Sequence, residues 1–273
     1  MRTRIISAAS LMMMLAIVAL FAMPIAQAQA YYTVTVKAED LAAASLAVPI
    51  AWVNASAVSG SGTTEFSIPF TIGALTLTAP AAHVEGSAFY IFDHWTDGST
   101  NRQQIFNIAA DTTITVYYQK VLSVSKQLTD SFYLEGGAKF PVDPSQVPLG
   151  KVVYFNMTIT FHVDLAFSGV KVTDGIGADL VLDQLIASSG TTTSGKAGKG
   201  KMGATIVTWV IGDTVADTDY TLDIRVHTGV NPQRKQEYTS TGRHTLNSGP
   251  EVHLNYGGTE YVILGPPVEI TVV

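Results

Sequence analysis

Two short motifs in this chain are fit to take a covalent modification. Asn54-Ala55-Ser56 and Asn156-Met157-Thr158 both match the N-glycosylation sequon. Asn156 has the parity of Thr158 and Thr160, opposite the apolar residues around it, so its side chain is expected to face solvent. Asn54 follows the apolar residues 48–52 at what reads as a loop edge. Acidic residues gather at two sets of turns, Asp93/Asp97/Asp111 and Asp213/Asp217/Asp219. Calcium is the one cofactor such oxygen ligands would suit, yet neither set has the spacing of an EF-hand. Acidic residues at turns also serve as plain turn formers. His94 beside Asp93 lacks a second histidine at i+2 or i+4, which makes a poor transition-metal set. Gly195 to Lys201 satisfies Gly-x4-Gly-Lys, but Met202 stands where Ser or Thr is required, and a strand rather than a helix follows. It reads as a cationic, Gly-rich loop between strands.

For catalysis the sequence offers no Gly-x-Ser-x-Gly elbow and no cysteine. Zero cysteines exclude a disulfide scaffold, a Cys-type zinc site and a thiol nucleophile. No catalytic, cofactor-binding or metal residue set is assigned, and the expectation is a non-enzyme. Trp52, Trp95, Trp209, Tyr117 and Tyr118 have the chemistry of a sugar-stacking platform, but most have core parity. His227 and His253 share parity with polar positions and read as surface residues.

The elements that would hold these groups are strands. Tyr32, Val34 and Val36 alternate with threonines; Phe66, Ile68 and Phe70, Ile114, Val116 and Tyr118, Val153 to Phe161, Tyr220 to Val226, and Val252 to Tyr256 repeat the pattern. Such period-2 segments bury one face and wet the other, and Gly, Pro and Asp-Gly punctuation between them points to all-β architecture. The expected fold is two tandem antiparallel β-sandwiches of Ig-like kind. Residues 31–119 form the smaller and 120–273 the larger, with a short linker near Lys120. Residues 39–46 alone hint at a helical turn, too short to stand by itself.

Residues 1–30 read as a secretory signal. Arg2 and Arg4 precede an apolar run over residues 5–22, Pro24 breaks it, and Ala26-Gln27-Ala28 and Ala28-Gln29-Ala30 offer cleavage sites. An uncleaved leader would be the chain's one membrane contact. Its removal takes away two arginines and no acid, deepening a formal charge of −6. That balance disfavours nucleic acid as a partner. Charged residues make up 14% against about 25% in ordinary domains, and 47% of the chain is apolar, which excludes a disordered chain.

Phe92-Asp93-His94-Trp95-Thr96-Asp97-Gly98, followed by Asp111-Thr112-Thr113-Ile114-Thr115-Val116-Tyr117, resembles the small β-sandwich repeats of prokaryotic surface proteins, of the internalin B-repeat kind. Five later pieces resemble the "conserved repeat" sandwich of large secreted prokaryotic and archaeal surface proteins. They are Leu122-Ser123-Val124-Ser125-Lys126, Gly150 to Ile159, Val170-Lys171-Val172-Thr173-Asp174, Thr208-Trp209-Val210-Ile211-Gly212 and Tyr220-Thr221-Leu222-Asp223-Ile224. Asp164 to Gly169 replaces that family's Asn-x-Gly, and residues 188–203 are an insertion. The resemblance implies an extracellular structural or adhesive protein without catalysis, such as a surface-layer or filament subunit. Its partners would be other surface proteins, copies of itself or glycans. Residues 31–37 and 268–273, terminal and β-prone, are candidate strands for donation between subunits. The alternatives are a carbohydrate-binding module and a secreted hydrolase with a carboxylate pair.

Overall fold

The computed structural model describes residues 31–197, 204–228 and 241–273. The leader and most of the cationic loop (residues 198–203) lie outside the described residues. Every regular element among the described residues is a β-strand. In chain order they are β1 (Tyr31–Asp40), β2 (Pro49–Asn54), β3 (Ser59–Thr63), β4 (Phe66–Thr71), β5 (Gly73–Thr78), β6 (Ala82–Glu85), β7 (Ala88–Trp95), β8 (Gln103–Ile108), β9 (Thr112–Glu135) and β10 (Ala138–Pro141). There follow β11 (Val153–Val163), β12 (Ser168–Ile176), β13 (Leu180–Ala187), β14 (Thr191–Lys196), β15 (Thr205–Gly212), β16 (Thr218–Thr228), β17 (Gly242–Tyr256), β18 (Thr259–Leu264) and β19 (Val268–Val272).

Three sheets result. The largest runs β13-β16-β11-β9-β1-β4, with β10 and the β6–β7 hairpin also attached through β9; the second runs β14-β15-β12-β17-β18 with β19 on β17; the third runs β3-β2-β5-β8. Named strand pairs are antiparallel except β1 with β9, which is parallel. The fold is all-β, and its sheets pack face to face around two hydrophobic cores. One gathers buried residues between Val34 and Tyr118, the other those from Val121 to Val272 together with Ala82 and Phe89.

Where the sequence shows two alternating patterns meeting at Lys120, the structure has one unbroken strand of 24 residues. The first half of β9 pairs with β1, the second half with β11, and β7 spans the junction from Ala88↔Ser123 to Trp95↔Val116. A register shift between Phe89↔Leu122 and Tyr90↔Lys120 leaves Val121 as an extra residue. A one-residue bulge moves the following side chains to the other face of the sheet. Ile114, Val116 and Tyr118 therefore enter the first core, while Leu122 and Val124 enter the second from the opposite face. The neighbouring strand shows the same inversion directly. In β7, Ala88, Tyr90 and Phe92 pack into the first core and Phe89 and Ile91 into the second. That is why residues 88–92 are continuously apolar rather than alternating, as a strand buried on both faces must be.

The helical turn hinted at by residues 39–46, too short to stand by itself, does not form. The Asp40 carboxylate accepts hydrogen bonds from the amides of Ala42 (2.9 Å) and Ala44 (2.8 Å), and Ala43 adopts φ 65°. An Asx-type turn has displaced the helix, because the aspartate side chain offers the backbone a closer partner than an i+4 carbonyl.

Candidate functional site

Asn54 ends β2 at a hairpin. Its side-chain oxygen accepts from the amides of Ser56 (3.0 Å) and Val58 (2.9 Å), so the carboxamide holds the turn. Asn156 lies at mid-strand on the outer face of β11, half-buried. Its Oδ1 accepts from Arg225 Nε at 2.9 Å, and its Nδ2 donates to Asp130 at 3.4 Å. Asp130 also pairs with Lys139 at 2.5 Å, and the Thr158 hydroxyl donates to Asp223 at 2.6 Å. Asn156 thus sits in a cross-strand polar network beside a shallow depression of about 210 Å³ lined by Thr129, Gln184, Ile186, Asp223 and Arg225.

The three carboxylates Asp93, Asp97 and Asp111 serve separate partners. Asp93 meets His94 Nδ1 at 2.5 Å, Asp97 accepts from the Ser99 amide and Gln104 Nε2, and Asp111 accepts from the Thr33 amide. The second acidic set is reshuffled. His162, Asp164 and Asp217 bring ligand atoms within 4.8 Å of one another. His162 is already engaged at both nitrogens, by Asp219 at 2.9 Å and Asp164 at 3.0 Å. The hydrogen bond and charge of Asp219, helped by Asp164, hold its pKa above the ordinary histidine value. Parity alone could not place His162 against β16, since the pairing His162↔Asp219 is long-range.

The aromatic residues do not form one platform. Trp95, Trp209 and Tyr118 are fully buried. The Trp95 indole donates to Asn101 O at 2.9 Å, the Trp209 indole to Ser189 O at 2.6 Å, and the Tyr118 hydroxyl to Pro80 O at 3.1 Å. Burial raises the Tyr118 pKa strongly. Tyr117 stacks on His94 with centroids 4.7 Å apart, and Trp52 covers Gly60 so closely that a Cβ there would lie 2.6 Å from its ring. A different set stacks in sequence across the outer sheet: Phe132 on Tyr154 (5.2 Å), with His227 beside Tyr154 (5.3 Å) and Lys139 over Phe132 (4.2 Å). Within the cationic loop, the described Lys196 donates to Thr205 Oγ1 at 2.8 Å.

Both candidate donor strands pair within the chain. Residues 31–37 lie inside β1, between β4 and β9, and β19 pairs with β17. The edges left at the ends of the sheet paths are those of β13, β4, β14, β18, β3 and β8.

One constellation escaped the sequence reading as a site. Lys126 on β9 and Asp174 on β12 meet inside the second core, Nζ to Oδ2 2.5 Å, with side chains 0% and 1% exposed. Burial lowers the Lys126 pKa, while Asp174 counteracts it by charge and hydrogen bond. The other carboxylate oxygen, Asp174 Oδ1, has no hydrogen-bond partner, nor has Nδ2 of the buried Asn247 on β17. The signal was present: Lys126 has the parity of Leu122 and Val124, and Asp174 that of Val170 and Val172, so two charged residues stood in core positions.

No protein-family profile matches the chain. An uncharacterized protein of Archaeoglobus fulgidus is 28% identical over 141 residues, covering 45% of this chain and 51% of its own. The chain thus spans about half the length of the curated relative it matches. Among solved structures, the full-length major pilin SpaD of Corynebacterium diphtheriae superposes with a TM-score of 0.51 at 9% identity, over 88% of this chain and 65% of the pilin. The major pilin subunit BcpA of Bacillus cereus gives a TM-score of 0.40 at 12% identity, over 89% of this chain and 69% of its own. The first of these likenesses agrees with the β-sandwich fold.

Proposed function

We propose that the chain is an extracellular structural module, displayed at a cell surface as a subunit of a layer or filament and without catalytic activity. The observation that carries this reading is β9. A single strand belongs to both cores, is clamped across the junction by β7, and leaves no linker in which the cores could swing. A continuous hydrogen-bonded strand transmits tension along its length, which suits a spacer. The β-sandwich likeness to a major pilin agrees with that reading. Residues 31–119 and 120–273 are then two structural units welded through this strand. Contacts between subunits fall to the remaining edges, since unpaired strand edges are the ready-made sites of sheet addition. Of the two sequons, Asn54 at its hairpin is the acceptor this reading favours, because Asn156 is tied into the sheet.

Electron microscopy of the native cell surface with labelled protein tests the proposal. Label arrayed on the envelope supports it. Label confined to the cytoplasm, or protein recovered wholly free in the medium, overturns it.

A further inference from the structure

The buried polar group of the second core goes beyond a structural role. Lys126 stands on the large sheet, whereas Asp174 and Asn247 stand on adjacent strands of the facing sheet. The register pairs Ile176 with Asn247 and Asp174 with Pro250, so the asparagine sits diagonally beyond the aspartate. Diagonal neighbours on one face remain within reach of each other's side chains. Gly175 and Ser248 mark the opposite, outward face, where a Cβ on the glycine would lie 2.8 Å from the serine hydroxyl. Asp174 and Asn247 are 2% and 1% exposed, and both point inward.

Taken as an ion pair, this arrangement is poorly satisfied. A charged amine is buried with one carboxylate oxygen, the second carboxylate oxygen is orphaned, and so is an amide N–H group. Buried groups of this kind are costly unless every one is partnered. A reaction would remove the cost. We propose that Lys126 and Asn247 join in an intramolecular isopeptide bond, with Asp174 carrying the protons.

The steps balance without an added reagent. The Lys126 ammonium gives one proton to Asp174, and burial favours this neutral pair over separated charges. The free Nζ lone pair attacks Cγ of Asn247 and a C–N bond forms. The carboxamide oxygen takes up the developing charge, and the Gly249 amide already donates to that oxygen at 2.7 Å. Gly249 adopts φ 92°, and a Cβ there would lie 2.5 Å from Gly265 O, so the backbone that presents this N–H requires glycine. Asp174 returns its proton to Nδ2 and accepts the second from Nζ; the Cγ–Nδ2 bond breaks and ammonia leaves. The product is a neutral amide stapling β9 to β17, formed once per molecule.

Peptide mapping by mass spectrometry on the purified full chain, denatured before digestion, tests this. The expected result is a branched peptide joining the Lys126 and Asn247 segments, lighter than their sum by one ammonia, in nearly all molecules. Asp174→Ala should reduce that fraction to nearly none, and Lys126→Arg should abolish it. Linear, unmodified Lys126 and Asn247 peptides in the wild type would overturn the proposal. So would a link to Asp174 with loss of water, or loss of ammonia from Asn247 alone with Lys126 linear. A branch that persists in Asp174→Ala would overturn the proton-carrying role. The wild-type map decides the bond even where a variant fails to fold.

Discussion

The two cores are built from the same kind of strand yet differ in what they bury. The first is predominantly apolar: around Trp95 and Tyr118 it packs Val34, Val36, Ile50, Leu75, Leu77 and Ile114, the Trp95 indole and the Tyr118 hydroxyl each reach a backbone carbonyl, and the buried Asp40 at the end of β1 spends its carboxylate on the adjoining turn. The second is larger and admits a lysine, an aspartate and an asparagine among its apolar residues. A predominantly apolar core needs chiefly volume and shape. A core holding ionisable groups depends on each partner, because removing one strands the others. The first core is accordingly expected to respond to lost volume, and the second to lost charge balance.

The largest effect expected from one substitution is at Asp174. Asp174→Ala leaves Lys126 buried and unpaired, which costs about 3–5 kcal/mol for a broken buried pair, with loss of the proposed staple in addition. Chemical denaturation followed by Trp fluorescence would read it. Replacing both partners, Lys126→Met with Asp174→Leu, sharpens the comparison. For a mere ion pair this exchange should be near neutral; a core held by a covalent link should instead lose stability. In the first core, Trp95→Ala is expected to cost about 3–5 kcal/mol through the cavity it leaves. Because β7 serves both cores, the loss should appear as a lowered single melting transition in calorimetry rather than as the melting of one core alone.

A smaller effect is expected at Thr214, buried between strands. Its hydroxyl accepts from the Phe167 amide at 2.8 Å, so Thr214→Val orphans that N–H at a cost of about 1–3 kcal/mol, measurable by thermal melting. The smallest is at His162. Its native pKa lies above the ordinary 6.5, so the stability it adds is full below that value and fades as pH rises through the native one. The side chain is well exposed and its carboxylate partners, Asp164 and Asp219, are screened by water. His162→Gln should therefore flatten the stability–pH curve slightly between mildly acidic and mildly alkaline buffer. An unchanged slope would assign the pH response to other groups.

Strands buried on one face were legible in the sequence, because burial there writes itself as alternation: β1, β4, β11 and β16 all follow the period-2 pattern. The strand buried on both faces was not, since residues 88–92 carry no period at all. The continuity of β9 was hidden for a related reason. A bulge at Val121 changes which face is buried without interrupting the strand, and a sequence pattern records burial, not the identity of the sheet that supplies it. The buried triad was partly visible, as charges at core parity, but pairing Lys126 with Asp174 and Asn247 requires the facing of two sheets, which no local pattern encodes. The Asp40 turn shows the opposite failure, where one side chain's hydrogen bonds outweigh an alanine-rich helical tendency.

Hydrogen exchange at the amides of residues 119–123 tests the shared strand most directly. All but the bulged Val121 pair with β7 on one edge, and Leu122 also faces Val163 of β11 on the other. Protection there comparable to that of the Ile114–Tyr118 stretch is the predicted result. Exchange at the rate of an open chain, with both flanking stretches still protected, would mean that a hinge divides the cores and would contradict the account.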